Sequence, residues 1–247
     1  FNLLNYFGPV PIKTFPTAGL ADINVGRDNT DAVYQQIIED LLYAAAHLPS
    51  TGSKIRATGL AADALLARVY LYKKDYTQAA ASAFKVITSG TYSLLPDYEA
   101  VFASEENGES IFEIDFTALD RNRIAEYNFP LAENGRGEVA PAPDLVSGYA
   151  PNDQRFAATY AYSGTAPYVI KYDDLSTGAD NFIVIRYAEM YLIRAEANIH
   201  LEGNILTIKD DINQVRNRAG LGDVTASTYT DLLLAIDNER RLEFAFE

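Results

Sequence analysis

The chain has 247 residues, 48% of them apolar, and no window is dominated by Pro, Gly or charge, so it has ample core material and is not disordered. Its 34 acidic and 20 basic residues leave a net charge of −14, which repels phosphate backbones and anionic membrane surfaces and argues against nucleic acid as a partner. With no Cys, and only His47 and His200 as widely separated histidines, there is little material for a metal centre or a Ser-His-Asp relay, and no cofactor is expected.

The chain opens with FNLLNYFGPVP, a helical-looking run that stops at Gly8-Pro9. TDAVYQQIIEDLLYAAAHLP, residues 30–49, reads as a helix capped by Thr30 or Asp31, with Val33, Ile37, Ile38, Leu41, Leu42 and Ala45 on one stripe. Residues 59–90 divide into two helices around Lys73-Lys74-Asp75-Tyr76, from about Ala61 to Tyr72 and from about Thr77 to Thr88, with Gly90 as a stop. Ala67, Tyr70, Tyr76, Ala79 and Ala83 are spaced as in a tetratricopeptide repeat, where small residues allow close helix approach.

From about 91 to 181 the texture is irregular. SIFEIDF (110–116) alternates and predicts a half-buried strand, with Phe112, Ile114 and Phe116 on one side and Glu113 and Asp115 on the other. PYVIKYD (167–173) suggests a second strand, and Gly-, Asn-, Pro- and Tyr-rich loops lie between. Helix resumes at about 182 and runs to His200. Gly203-Asn204 makes a turn, a further helix covers 209–222, and Thr228 or Thr230 starts the last one. No stop signal follows that helix, so the chain reads as a piece of a longer protein. The expected architecture is mostly α, with tetratricopeptide-like hairpins over 1–95, a loop-rich insert with short strands over 96–181, and a completing hairpin and C-terminal helix over 182–247. No uninterrupted apolar run reaches the ~18 residues that a membrane helix needs.

Two chemistries deserve weighing. Glu189 and Glu196, seven apart on one helix, resemble a glycosidase acid–base pair. Arg186 lies near the same side, however, and the helix is apolar on two further faces: Ala188, Tyr191, Leu192, Ala195 and Ile199, and Met190, Ile193 and Ala197. That pattern predicts ion pairs between packed helices, because a paired Glu stays ionised whereas a general acid needs a raised pKa. ERRLEF (239–244) likewise reads as a helix-pairing face, and GRGE (135–138) lacks the Lys-Ser/Thr of a phosphate loop.

The second chemistry is aromatic. Tyr127, Phe129, Tyr149, Phe156, Tyr160, Tyr162 and Tyr168 fall in the insert beside Asn122, Arg123, Asn128, Asn152, Asp153 and Arg155. Such rings can stack on sugars while the polar groups bond to hydroxyls, or they can simply cap a core beneath the loops. The candidate ligand contacts are Asn122, Arg123, Tyr127, Tyr149, Asp153, Tyr160, Tyr162 and Tyr168.

RYAEMYLIRAEA, INQVRNRAGL and ERRLEFAFE closely resemble the C-terminal signature of the SusD/RagB family. YFGPVPI, VYQQIIEDLLYAAAHLP, ATGLAADALLARVYLYKKDYTQAA and SGTYSLLPDYEAVF followed by SIFEIDF extend the likeness, in order, over nearly the whole chain. The resemblance implies a lipoprotein on the extracellular face of the outer membrane of Bacteroidota-type bacteria. It also implies a tetratricopeptide-like scaffold that holds an oligosaccharide and sits as a lid on a SusC-type TonB-dependent transporter, without catalysis. Membrane attachment would come only through an N-terminal lipid anchor outside this sequence. The chain departs from the family pattern in having no Trp. The alternative reading is a helical-repeat scaffold that binds a peptide or protein and no sugar.

Overall fold

The computed structural model describes the backbone of residues 1–247 and every side chain except that of Ala21. Helix α1 (Asn2–Phe7) ends at Gly8, whose φ of 72° suits glycine. Helix α2 (Thr30–His47) starts one residue before the expected caps, because the Asn29 side chain accepts the Ala32 N–H at 2.8 Å. Helices α3 (Gly59–Lys73) and α4 (Tyr76–Ile87) form the expected hairpin, capped by Thr58 and Asp75. Ala67, Ala79 and Ala83 are wholly buried, which lets the helices approach closely.

The insert follows with β1 (Ser110–Ile114), the short helices α5 (Ile124–Asn128), α6 (Pro143–Val146) and α7 (Gln154–Thr159), and the strands β2 (Tyr160–Ser163) and β3 (Ala166–Val169). Strand β4 (Phe182–Arg186) leads directly into α8 (Tyr187–His200). Helices α9 (Ile205–Arg218) and α10 (Tyr229–Glu243), capped by Asn204 and Thr228, complete the chain. The protein is therefore mostly α, a tetratricopeptide-like scaffold with a loop-rich insert.

Helix α8 is the central element. Met190, Ile193 and Ala197 pack into the core shared with α3 and α4, while Ala188, Leu192, Ala195 and Ile199 pack into the core shared with α9 and α10. The two apolar faces read from the sequence are these two interfaces. Tyr76 stacks on His200 at 4.1 Å and 12°, tying the turn of the first hairpin to the end of α8.

Two local expectations are corrected. The segment 182–186 is strand, not helix: β-branched Ile183, Val184 and Ile185 suit an extended chain, and β1 supplies an antiparallel partner. In β1 the inward face is reversed, since Ile111 and Glu113 are each 1% exposed whereas Ile114 is 47% exposed. Register shifts on either side of Phe112 interrupt the alternation, and buried Glu113 is satisfied by Glu106 N–H at 2.9 Å and Asn181 Nδ2 at 3.0 Å.

The insert is locked to the scaffold by a buried ionic junction. Its hub is Glu243 near the end of α10, which takes Arg186 Nη1 at 2.5 Å, Arg155 Nη1 at 3.0 Å and a close contact from Arg218. Glu109, just before β1, bridges Arg186 at 2.9 Å and Arg218 at 2.7 Å. Arg155 also binds Glu239 at 2.6 Å and Asp153 at 2.8 Å. Burial would raise the Glu243 carboxyl, but the three guanidiniums overcome it and hold the group well below its usual range.

Replacing Glu243 by Ala leaves three buried guanidiniums short of a partner, so urea unfolding should show a loss of about 3–5 kcal/mol. A loss below about 1 kcal/mol would mean that the junction is not what holds these elements together. The folded carboxyls of Glu189 and Glu243 both lie below their ordinary value of 4.5. The stability they contribute is therefore complete above that pH and is lost as the pH falls through their folded values. Glu239 and Asp211, raised by burial, act in the opposite sense. The share due to Glu243 is the part of the acid slope that Glu243→Gln removes.

Candidate functional site

The structure divides the eight candidate residues. Tyr149 and Tyr160 are 8% and 4% exposed and form a third core with Val169 and Leu242, packed against Phe156 and Phe246. Their ring centroids lie 5.7 Å apart at 85°, and the Tyr149 hydroxyl donates to the Leu242 carbonyl at 2.9 Å. Asp153 caps α7 and pairs with Arg155 inside the junction. Asn122 is also buried. These four are turned inward and present little surface to a ligand. An aromatic-rich loop sequence looks the same whether its rings cap a core or face solvent, and here Tyr149 and Tyr160 form a core between the insert and the end of α10.

Arg123, Tyr127, Tyr162 and Tyr168 retain exposed surface. In the β2–β3 hairpin, Tyr168 pairs with Ala161 whereas Tyr162 pairs with Pro167, so the two tyrosines project from opposite faces. Tyr168 meets the edge of Phe129 at 5.0 Å and 62°. Phe129 directly follows α5, which carries Tyr127. Arg123, Tyr127, Phe129 and Tyr168 thus share one region, and Tyr162 lies on the other side of the hairpin.

Backbone bonds give this platform its shape. After Pro130 the chain doubles back on α5: Arg136 N–H donates to Glu126 C=O at 2.7 Å, Gly137 N–H to Phe129 C=O at 2.7 Å, and Glu138 N–H to Tyr127 C=O at 2.9 Å. A Cβ on Gly135 would lie 2.1 Å from the Phe129 carbonyl oxygen, so only glycine permits this close return. Asn122 pins the base of the platform: its N–H donates to Gly178 C=O at 2.7 Å and its Nδ2 to Asp180 C=O at 3.0 Å.

The return places residues that sequence reasoning missed. Arg136 lies over the Tyr127 ring at 4.9 Å. It pairs closely with Glu138 and lies 3.6 Å from Glu126, which also receives Arg123 at 3.2 Å. The GRGE motif was the available signal, because its spaced glycines mark a close backbone approach. The result is a half-exposed aromatic region, with Phe129 and Tyr168 in edge contact and Tyr127 beneath Arg136, and the paired side chains of Arg123, Glu126, Arg136 and Glu138 lie beside Tyr127. Among the described residues, no group of His, Cys, Asp and Glu could hold a metal ion.

A cleft of about 520 Å³ lies among α1, α3, β4, α8 and α10 and contains Glu189. Arg68 clamps that carboxylate with bonds of 2.7 and 2.5 Å, and Arg240 lies 4.0 Å from it and 3.7 Å from Glu196. The ion pairing expected for α8 is present, but Arg186 is not the partner, because it ends a strand and turns to Glu243 instead. Burial would raise the Glu189 carboxyl, yet Arg68 more than offsets it and leaves the group below its usual range. A carboxyl held ionised in this way is unsuited to general-acid catalysis at neutral pH.

Comparisons with known proteins agree with this architecture. A profile described as "SusD family" matches residues 168–247, and one described as "Starch-binding associating with outer membrane" matches residues 1–71. A SusD-like protein of Formosa agariphila is 26% identical over 100% of this chain and 60% of its own length, so the chain spans about three fifths of that relative. Among solved structures, a laminarin-binding SusD-like protein aligns with a TM-score of 0.83 and 29% identity, over 99% of this chain and 65% of its own. A SusD-like carbohydrate-binding protein of Bacteroides fragilis aligns with a TM-score of 0.89 at 23% identity, over 99% and 61% of the two chains, and bears on fold alone.

The inward tyrosines should report on stability. Tyr160→Ala is expected to lose about 3–5 kcal/mol in urea unfolding. Tyr160→Phe should be nearly neutral, because the Tyr160 hydroxyl is buried without a hydrogen-bond partner. Tyr149→Phe, which gives up the bond to Leu242, should lose about 1 kcal/mol.

Proposed function

This chain belongs to the SusD/RagB family, and we propose that it captures an oligosaccharide at the cell surface and passes it to a SusC-type TonB-dependent transporter. The observation that carries the reading is the group of half-exposed rings Tyr127, Phe129 and Tyr168 in one region of the insert, with paired Arg and Glu side chains beside Tyr127. Apolar faces of sugar rings stack on such surfaces, while guanidiniums donate to and carboxylates accept from ring hydroxyls. The laminarin-binding relative, aligned over almost all of this chain, supports a glycan as the ligand class.

In this reading the protein works by binding alone. The low pKa of Glu189 supports that view, since it is the member of the α8 carboxylate pair most deeply enclosed by cations. The profile that describes association with the outer membrane supports a location there, with the extracellular face and a lipid anchor N-terminal to this sequence as part of the same proposal.

Isothermal titration against neutral oligosaccharides, laminarin fragments among them, tests the capture step. Tyr127→Ala and Tyr168→Ala should each weaken binding about tenfold, or about 1.4 kcal/mol. Tyr162→Ala, on the opposite face of the hairpin, should leave the affinity within about twofold. Silence across the panel, or equal loss from all three variants, would sink the assignment of this surface. Co-purification of a TonB-dependent transporter from the outer membrane tests handover separately.

A further inference from the structure

We infer that the platform selects neutral glycans and rejects uronate-type anionic ones, an inference that rests on the capture reading above. The exposed guanidiniums on the rim are not free anion clamps. Arg123 lies 3.2 Å from Glu126, and Arg136 lies between Glu126 at 3.6 Å and Glu138 in closer contact. Glu133 lies in the same loop and adds its negative charge to that segment.

A neutral sugar fits this rim without separating charge from countercharge. One hydroxyl can donate to a carboxylate while its neighbour accepts from the adjoining guanidinium. The rim pairs are solvent-exposed, with side-chain exposures of 29–58%, so reorienting them to admit hydroxyls costs little. A sugar carboxylate gains no such match. To reach Arg136 it must compete with Glu138 and Glu126, and it adds a further negative charge to a rim that already holds those two carboxylates. The wider field adds to this, because the whole chain carries a charge of −14.

Arg136 is the specificity-determining residue in this arrangement. Its guanidinium sits 4.9 Å from the centre of the Tyr127 ring, which couples the charge pairing at the rim to the stacking surface. The backbone bond from Arg136 N–H to Glu126 C=O holds the two residues together through the loop return. A change in the rim charge therefore alters the chemistry of the stacking site itself.

The test titrates the protein with a neutral glucan hexasaccharide and a uronate hexasaccharide, at about 20 mM and about 300 mM NaCl. The neutral ligand should bind with an affinity nearly independent of salt. The uronate should bind at least tenfold more weakly at low salt, and its affinity should rise as salt screens the repulsion. Glu138→Gln removes one carboxylate and releases Arg136, so it should improve uronate binding several-fold and narrow the gap between the ligands. Uronate binding that equals or exceeds neutral binding, or that weakens with salt, would overturn the selectivity while leaving capture intact. Failure of both ligands to bind would overturn the capture reading and the selectivity together.

Discussion

Glu243 near the end of α10 is the point through which the insert and the scaffold are joined. Its carboxylate takes guanidiniums from α7, from the end of β4 and from the end of α9, and its backbone carbonyl accepts from Tyr98, Arg186 and Lys171. A buried charge of this kind is tolerable only when every partner is present, because each unpaired member would carry a large desolvation penalty. The junction thus makes the local positions of four elements interdependent. It also accounts for the buried Lys171, whose ammonium packs between the Tyr98 and Phe102 rings and is pushed down to about 8 by burial.

Apolar packing provides the frame that this junction completes. Helix α8 lies between two cores, and alanines at the α3–α4 contact keep those helices close enough for α4 to cover one of its faces. The insert then adds a third, mostly aromatic core around Tyr149 and Tyr160. The insert leaves a separate set of rings half-exposed, held in place by backbone bonds together with the Phe129–Tyr168 edge contact. Such a platform keeps its shape while its exposed side chains stay free to reorient, which suits binding to a chain of sugar rings.

The sequence resolved the helical elements and misjudged what depended on distant partners. The spacing of Ala67, Ala79 and Ala83, the two faces of α8, and the cap at Thr228 are properties of short segments. The strand at 182–186 was missed because its apolar run continues without a break into α8, and its pairing with β1 is a contact with a segment remote in sequence. The inward face of β1 was misread because the alternation places Phe112 and Ile114 together without saying which side meets the core. For the candidate site, aromatic composition pointed to the insert, but only burial separated the inward Tyr149 and Tyr160 from the half-exposed Tyr127 and Tyr168.

What the sequence determined by itself was therefore local: helical periodicity, caps, the repeat-like hairpin, and the family likeness borne by RYAEMYLIRAEA and the segments around it. These follow from interactions within a few turns of chain. What only the tertiary structure decided was partnership. Arg186 pairs with Glu243 rather than Glu189, Arg68 comes from 121 residues away to take its place, and Arg136 folds back over Tyr127. Charge pairing and ring exposure depend on distances between segments remote in sequence, and those distances exist only once the cores have packed.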